Sequence, residues 1–157
     1  MDIVDREKRS QMMAGIRGQD TRPEKIIRSG LHRLGLRHRL GSSYKWQGKR
    51  LPGRPDLVFP KYRAVIQVNG CFWHCHGCHL FKWPSSREAF WRKKLEGNAE
   101  RDVRNLKNLE QCGWRVLTIW ECALKGKTRA PSEEVIFFAA DWIRSDAPST
   151  SIGGLKV

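Results

Sequence analysis

A chain of 157 residues can bury one substantial core but not two, and its 30 Lys and Arg against 16 Asp and Glu leave a formal charge of +14. Basic residues spread along the whole length, not gathered in a tail, favour a polyanionic partner, most often nucleic acid, over an inert solvated surface. No apolar run reaches the roughly 18 residues of a membrane span, and MDIVDREKRS is charged where a signal peptide is apolar, so the chain reads as cytoplasmic with no membrane contact.

The first twenty residues read as a short basic helix, about 5–18, with Met13 and Ile16 three apart on one face. Thr21-Arg-Pro-Glu24 has the spacing of a capping box, and it opens a helix whose Ile27, Leu31 and Leu34 form an i, i+4, i+7 stripe until Gly35 stops it. From Leu36 the texture turns strand-like: LRHRL, a loop around GSSYKWQGKRLPG, then DLVF and YRAVIQV with a Pro60-Lys61 turn between them, together a meander. Ser85 to Glu88 repeats the capping-box spacing, and Leu95, Ala99, Val103, Leu106 and Leu109 mark one face of a long helix ending near Gly113.

WRVLTIW, 114–120, is the nearly continuous apolar run of a strand covered on both faces, and should therefore lie centrally in its sheet. A last helix runs from about Pro131 to Arg144, and the small, polar residues that follow read as a flexible tail, 146–157. Helix, three strands, helix, strand, helix describes an α/β fold: a mixed central sheet flanked by helices.

Two stretches carry chemistry. LPGRPDLVF sets Asp56 at the mouth of an apolar strand, where a carboxylate on a rigid element can hold Mg2+ for phosphodiester hydrolysis. Many nucleases follow such a Pro-Asp with a strand bearing Glu-x-Lys, but here the positions read Gln67-Val68-Asn69, so other groups must supply the missing functions. The second stretch, NGCFWHCHGCHL, packs three of five cysteines and three of five histidines around a Phe-Trp pair.

In a reducing compartment that crowding argues for a metal over disulfides. Cys71, His76 and Cys78 are soft ligands suited to a structural zinc, with Cys122, just after WRVLTIW, the best fourth; Cys75 and His79 compete with them. On an extended segment His74 and His76 would point alike, with Phe72 and Cys75 on the other side, unless a turn intervenes. Cys112 reads as a small buried hydrophobe.

LPGRPD, YRxVI, GCFWHxHxC, FW, NxxRD and GWRVLxxWEC, in that order over residues 8–126, closely resemble the very short patch repair endonucleases. The resemblance implies a restriction-endonuclease-like core, a single endonuclease domain over 1–145, and nicking of duplex DNA 5′ to the thymine of a T:G mismatch left by 5-methylcytosine deamination. It implies Mg2+ on Asp56 and the backbone carbonyl of Val68, His74 as acid/base, Glu24 orienting water, and structural Zn2+ on Cys71, His76, Cys78 and Cys122. Phe72, Trp73 and Trp91 match the family's aromatic wedge, Met13 and Ile16 a helix entering from the opposite groove, and Lys94 and Asn98 contacts near the mismatch. Asn69 stands where some members carry a second histidine, and its amide cannot exchange a proton.

The resemblance also implies a bacterial, nucleoid-associated monomer, with mismatch-repair proteins as further partners. Two other readings compete. A restriction-type or structure-specific nuclease on the same core would be separated by assaying matched, mismatched and branched duplexes, and a zinc-stabilised DNA-binding module would bind without ever cutting.

Overall fold

The computed structural model describes residues 6–8 and 20–155. Helix α1 spans Arg22–Arg33. The Thr21 hydroxyl accepts the Glu24 N–H at 3.4 Å, while the Glu24 carboxylate accepts from the backbone N–H groups of Thr21 and Asp20, which closes the expected capping box. At its other end Gly35 (φ +81°) lets Leu36 N–H reach Leu31 O and Gly35 N–H reach His32 O, both at 3.0 Å, a Schellman motif. Of the expected N-terminal helix only residues 6–8 are described, and they are helical; Met13 and Ile16 lie outside the described residues.

Strands β1 (Arg39–Leu40), β4 (Leu57–Phe59), β5 (Ala64–Asn69), β6 (Arg115–Trp120) and β7 (Thr150–Ile152) form one mixed sheet in the order β1-β4-β5-β6-β7. The pairs β1–β4 and β4–β5 are antiparallel, whereas β5–β6 and β6–β7 are parallel. A separate hairpin joins β2 (Lys45–Trp46) to β3 (Lys49–Arg50) through Gln47 and Gly48, both with positive φ as a two-residue hairpin turn requires. Helix α2 (Glu88–Gln111) crosses from β5 to β6, and helix α3 (Ser132–Arg144) precedes β7.

Alternation along the strands sorts the core into two faces. Leu57, Phe59, Ala64, Ile66, Leu117 and Ile119 pack with Ile27 and Leu31 of α1 and with Val135, Ala139 and Ile143 of α3. On the opposite face Val58, Val65 and Val116 pack with Leu51, Trp114 and Leu109 of α2. The strand 115–120 is thus internal and covered on both sides, as its apolar run requires. Helices α1 and α3 meet closely at Gly30, where a Cβ would overlap the Ile136 side chain.

The structure differs from the sequence reading at several places. The segment read as a loose tail contains β7, which pairs in parallel with β6 from Leu117↔Thr150 to Ile119↔Ile152. The N-cap of α2 is not Ser85: Arg87, at φ 52°, is the residue that precedes the helix. Val103 is 69% exposed, because the inward seam of α2 runs through Leu95, Asn98, Asp102 and Leu109 and so leaves Val103 one position, about 100°, away. Cys112, which caps α2, is exposed and not buried.

Candidate active site and metal cluster

Asp56 stands one residue before β4, and β4 pairs with β5 only as far as Leu57↔Ile66. Past that point β5 keeps β6 on one edge but has no β4 partner on the other, and there the Asp56 Oδ2 takes over by accepting the Val68 N–H at 2.7 Å. Gly41 holds this corner in place, since a Cβ there would overlap the Pro55 carbonyl. Asp56, Glu24, Asp20, Ser42 and Arg54 line a cavity of about 180 Å³.

Burial pushes the Asp56 carboxyl from its ordinary 3.8 up to about 7; the Val68 N–H and His74 oppose that rise and Glu24 adds to it. Glu24 is itself 4% exposed and raised, mainly by burial and then by Asp20. Two carboxylates crowded in a small polar cavity are hard oxygen donors, and a dication is the species that relieves their desolvation and mutual repulsion, so this donor set fits Mg2+.

The chain leaves β5 through Asn69, which is buried, and turns sharply: His74 N–H bonds Gly70 O, His76 N–H bonds Cys71 O, and Cys75 takes φ 54°. This turn replaces the simple alternation of an extended segment. His74 Nδ1 meets Asp102 Oδ2 at 2.5 Å, and the Asn98 Nδ2 donates to the Trp73 carbonyl at 3.1 Å. Asn98 and Asp102 are one helical turn apart on α2, so one helix face fixes two consecutive residues of the loop. Asp102 was not among the residues singled out from the sequence, although NxxRD, with its polar pair at i and i+4, held the signal.

Cys71 and Cys122 follow the carboxyl ends of the neighbouring parallel strands β5 and β6. With His76 and Cys78 they bring one ligand atom each to within 4.8 Å of one another. Three sulfurs and one imidazole make a soft donor set that fits zinc and not Mg2+. Burial pushes the Cys71 and Cys122 thiols up, and a bound cation is what favours the thiolate there. The His76 ring stacks on Trp120 (4.1 Å between centroids, 8° between planes), and Cys122 Sγ accepts the Gly154 N–H at 3.2 Å. Cys75 and His79 stand outside this group: Cys75 lies near Glu96 and Asp102, and His79 packs against Gly126.

Phe72 sits among aromatic rings, 5.1 Å from Trp73, 5.6 Å from Trp91 and 6.2 Å from Phe81. The Lys94 ammonium lies 5.6 Å from the Trp73 ring and 5.8 Å from that of Trp91. All three candidate wedge rings are half-buried, so they are held by one another and still reach the surface.

A family model for the DNA mismatch endonuclease Vsr matches residues 1–80. DNA mismatch endonuclease Vsr of Escherichia coli is 42% identical over 151 residues, 96% of this chain and 93% of the relative. Type II nicking enzyme V.XorIIP of Xanthomonas oryzae pv. oryzae is 46% identical over 123 residues, 78% and 86% of the two chains. Type II nicking enzyme V.NmeAIP of Neisseria meningitidis is 40% identical over 126 residues, 80% and 86%. With a match over almost the full length, a mixed sheet flanked by helices and a cysteine-histidine cluster past the carboxyl ends of β5 and β6, this chain belongs to the Vsr family of DNA mismatch endonucleases.

Proposed function

We propose that this endonuclease nicks duplex DNA 5′ to the thymine of a T:G mismatch left by deamination of 5-methylcytosine, and that it needs Mg2+ to do so. The observation that carries this reading is the convergence of Asp56, Glu24 and the His74–Asp102 pair, with His74 on the same loop as the aromatic cluster. Recognition and chemistry are thereby two ends of one rigid turn.

Asp56 and the backbone carbonyl of Val68 would hold the magnesium ion, which polarises a phosphoryl oxygen and favours deprotonation of water. Glu24 orients the attacking water from the first turn of α1. Asp102 fixes the His74 ring through Nδ1, which presents Nε2 to the phosphate for proton transfer. Asn69, buried at the end of β5, can orient water or phosphate, but its amide cannot serve as a general acid or base near neutral pH. The products are a 5′-phosphate and a 3′-hydroxyl.

Zinc on Cys71, His76, Cys78 and Cys122 would brace the loop from behind. Phe72, Trp73 and Trp91 then press between stacked bases, which costs a few kcal/mol and least at a mismatch. Met13 and Ile16 act from the opposite groove. Lys94 lies over the wedge rings, and Asn98 supports the wedge through the Trp73 carbonyl. The enzyme works as a monomer on double-stranded DNA, at the nucleoid of a bacterial cytoplasm and alongside mismatch-repair proteins; no helix among the described residues is long and apolar enough to cross a membrane.

The test is strand nicking on a panel of matched, T:G-mismatched and branched duplexes with varied flanking sequence, with and without added Mg2+. One Mg2+-dependent nick 5′ to the mismatched thymine supports the reading. Equal cutting of matched and mismatched duplexes, or preference for branched ones, would overturn it.

A further inference from the structure

Two exposed aromatic rings lie beyond the wedge, each beneath an arginine. Trp83, 39% exposed, touches Phe81 (5.1 Å) and carries the Arg92 guanidinium 4.6 Å from its ring centroid. Phe90, 44% exposed, touches Trp91 (5.3 Å) and carries the Arg87 guanidinium at 4.3 Å. Phe81 and Trp91 in turn both contact Phe72, so the two arginine-topped rings stand two ring contacts from the centre of the wedge. They stand on different sides of it, because Phe90 and Arg92 are two residues apart on α2 and therefore point about 200° apart around its axis.

We infer that Arg87 and Arg92 are a pair of phosphate clamps that seat the two backbones of the duplex on either side of the aromatic wedge. The inference rests on the proposed duplex-binding role of that wedge. A guanidinium is planar, and stacking occupies its face while its N–H donors radiate in the plane. Each ring thus fixes the plane of a side chain that would otherwise sample many rotamers, and it leaves the edge that matches two phosphate oxygens directed outward. Arg92 reaches Glu96 only at 3.8 Å, so that exposed carboxylate is a weak competitor. Both grooves of B-DNA, about 6 to 12 Å wide, are walled by phosphates, so a wedge that enters a groove has a phosphate row on each flank. Such contacts set position and affinity without reading bases.

The experiment measures binding to a T:G duplex and to its matched counterpart by fluorescence anisotropy, without Mg2+, between about 50 and 200 mM salt. The proteins are the full chain, Arg87→Gln, Arg92→Gln and the double variant, each checked for fold by circular dichroism and for zinc content. Each single substitution is expected to flatten the slope of log affinity against log salt by about 0.9, and the double substitution by about twice that, on both duplexes alike. Trp83→Leu, which keeps Arg92 but removes its platform, is expected to weaken both duplexes equally. An unchanged slope in a folded double variant overturns the clamps, as does a loss confined to the T:G duplex. A flattened slope in an enzyme that shows no T:G preference leaves the clamps standing and removes the mismatch reading instead.

Discussion

Asp56→Asn should stabilise the Mg2+-free protein while abolishing nicking. Asparagine keeps the shape and the acceptor for the Val68 N–H, and deletes only the charge. An aspartate whose folded pKa lies above its unfolded value binds its proton more tightly in the fold. The stability it lends is fully present below about pH 4 and is lost as the pH rises through about 7. The rise from 3.8 to about 7 corresponds to about 4 kcal/mol at full ionisation. Because Asp56 borders an open cavity, solvent screening reduces this to about 2 kcal/mol. In a domain of this size that is a gain of about 4 to 8 °C in melting temperature. Thermal unfolding without added Mg2+ should therefore show the variant melting higher at about pH 8.5 and equal to the parent at about pH 4. Saturating Mg2+ should narrow the gap by raising the parent alone. Identical melting at pH 8.5, or an equal Mg2+ effect on both proteins, would refute the argument that burial strains this carboxylate and that a cation relieves it.

Asp102→Asn, which loses the carboxylate that holds His74 Nδ1, should cut the single-turnover nicking rate on the order of 10²-fold or more with little change in DNA affinity; a rate near the parent's would leave His74 oriented by something else. Cys122→Ser should lower zinc content and speed amide exchange both in residues 71–80 and in β7, because Cys122 Sγ also accepts the Gly154 N–H; a fully metallated, equally protected variant would count against the four-ligand set. Trp73→Ala should erode the preference for T:G over matched DNA more than it erodes overall affinity, and equal loss on both duplexes would make Trp73 a packing residue and not a wedge. Asn69→His should add a second titrating group, with an ordinary pKa near 6.5, to the pH profile of nicking; an unaltered profile in a folded, DNA-bound variant would place residue 69 away from the scissile phosphate.

Much of the framework was legible from pattern alone. Caps and apolar stripes are local, so the box at Thr21 and Glu24, the stop at Gly35 and the internal strand 115–120 could be read without tertiary context. The elements that escaped depend on partners far along the chain. Strand β7 has a single strongly apolar residue, Ile152, and forms because the parallel edge of β6 offers it backbone bonds. The seam of α2 was misjudged by one position because periodicity counts apolar residues, and here Asn98 and Asp102 occupy inward positions to serve the loop. Val103 scored as core for its chemistry while standing in solvent. The cysteine-histidine set was narrowed from sequence by spacing and resemblance; the fold is what separates Cys75 and His79 from it, by turning the chain at Cys75.

The cysteine-histidine cluster has a topological consequence. Its members lie on both sides of α2, so a metal bound there cross-links the chain across a loop of about 45 residues, a closure that removes about 4 kcal/mol of conformational freedom from the unfolded state. Within or beside that loop lie His74, Asp102, the candidate wedge rings, Arg87 and Arg92, whereas Glu24 and Asp56 belong to the part of the chain that precedes it. Loss of the ion would release the first group together and leave the two carboxylates alone in their cavity. On the roles proposed above, an enzyme built this way would fail closed: without its cross-link it could neither single out a base step nor transfer the proton, and so would not become an indiscriminate nuclease.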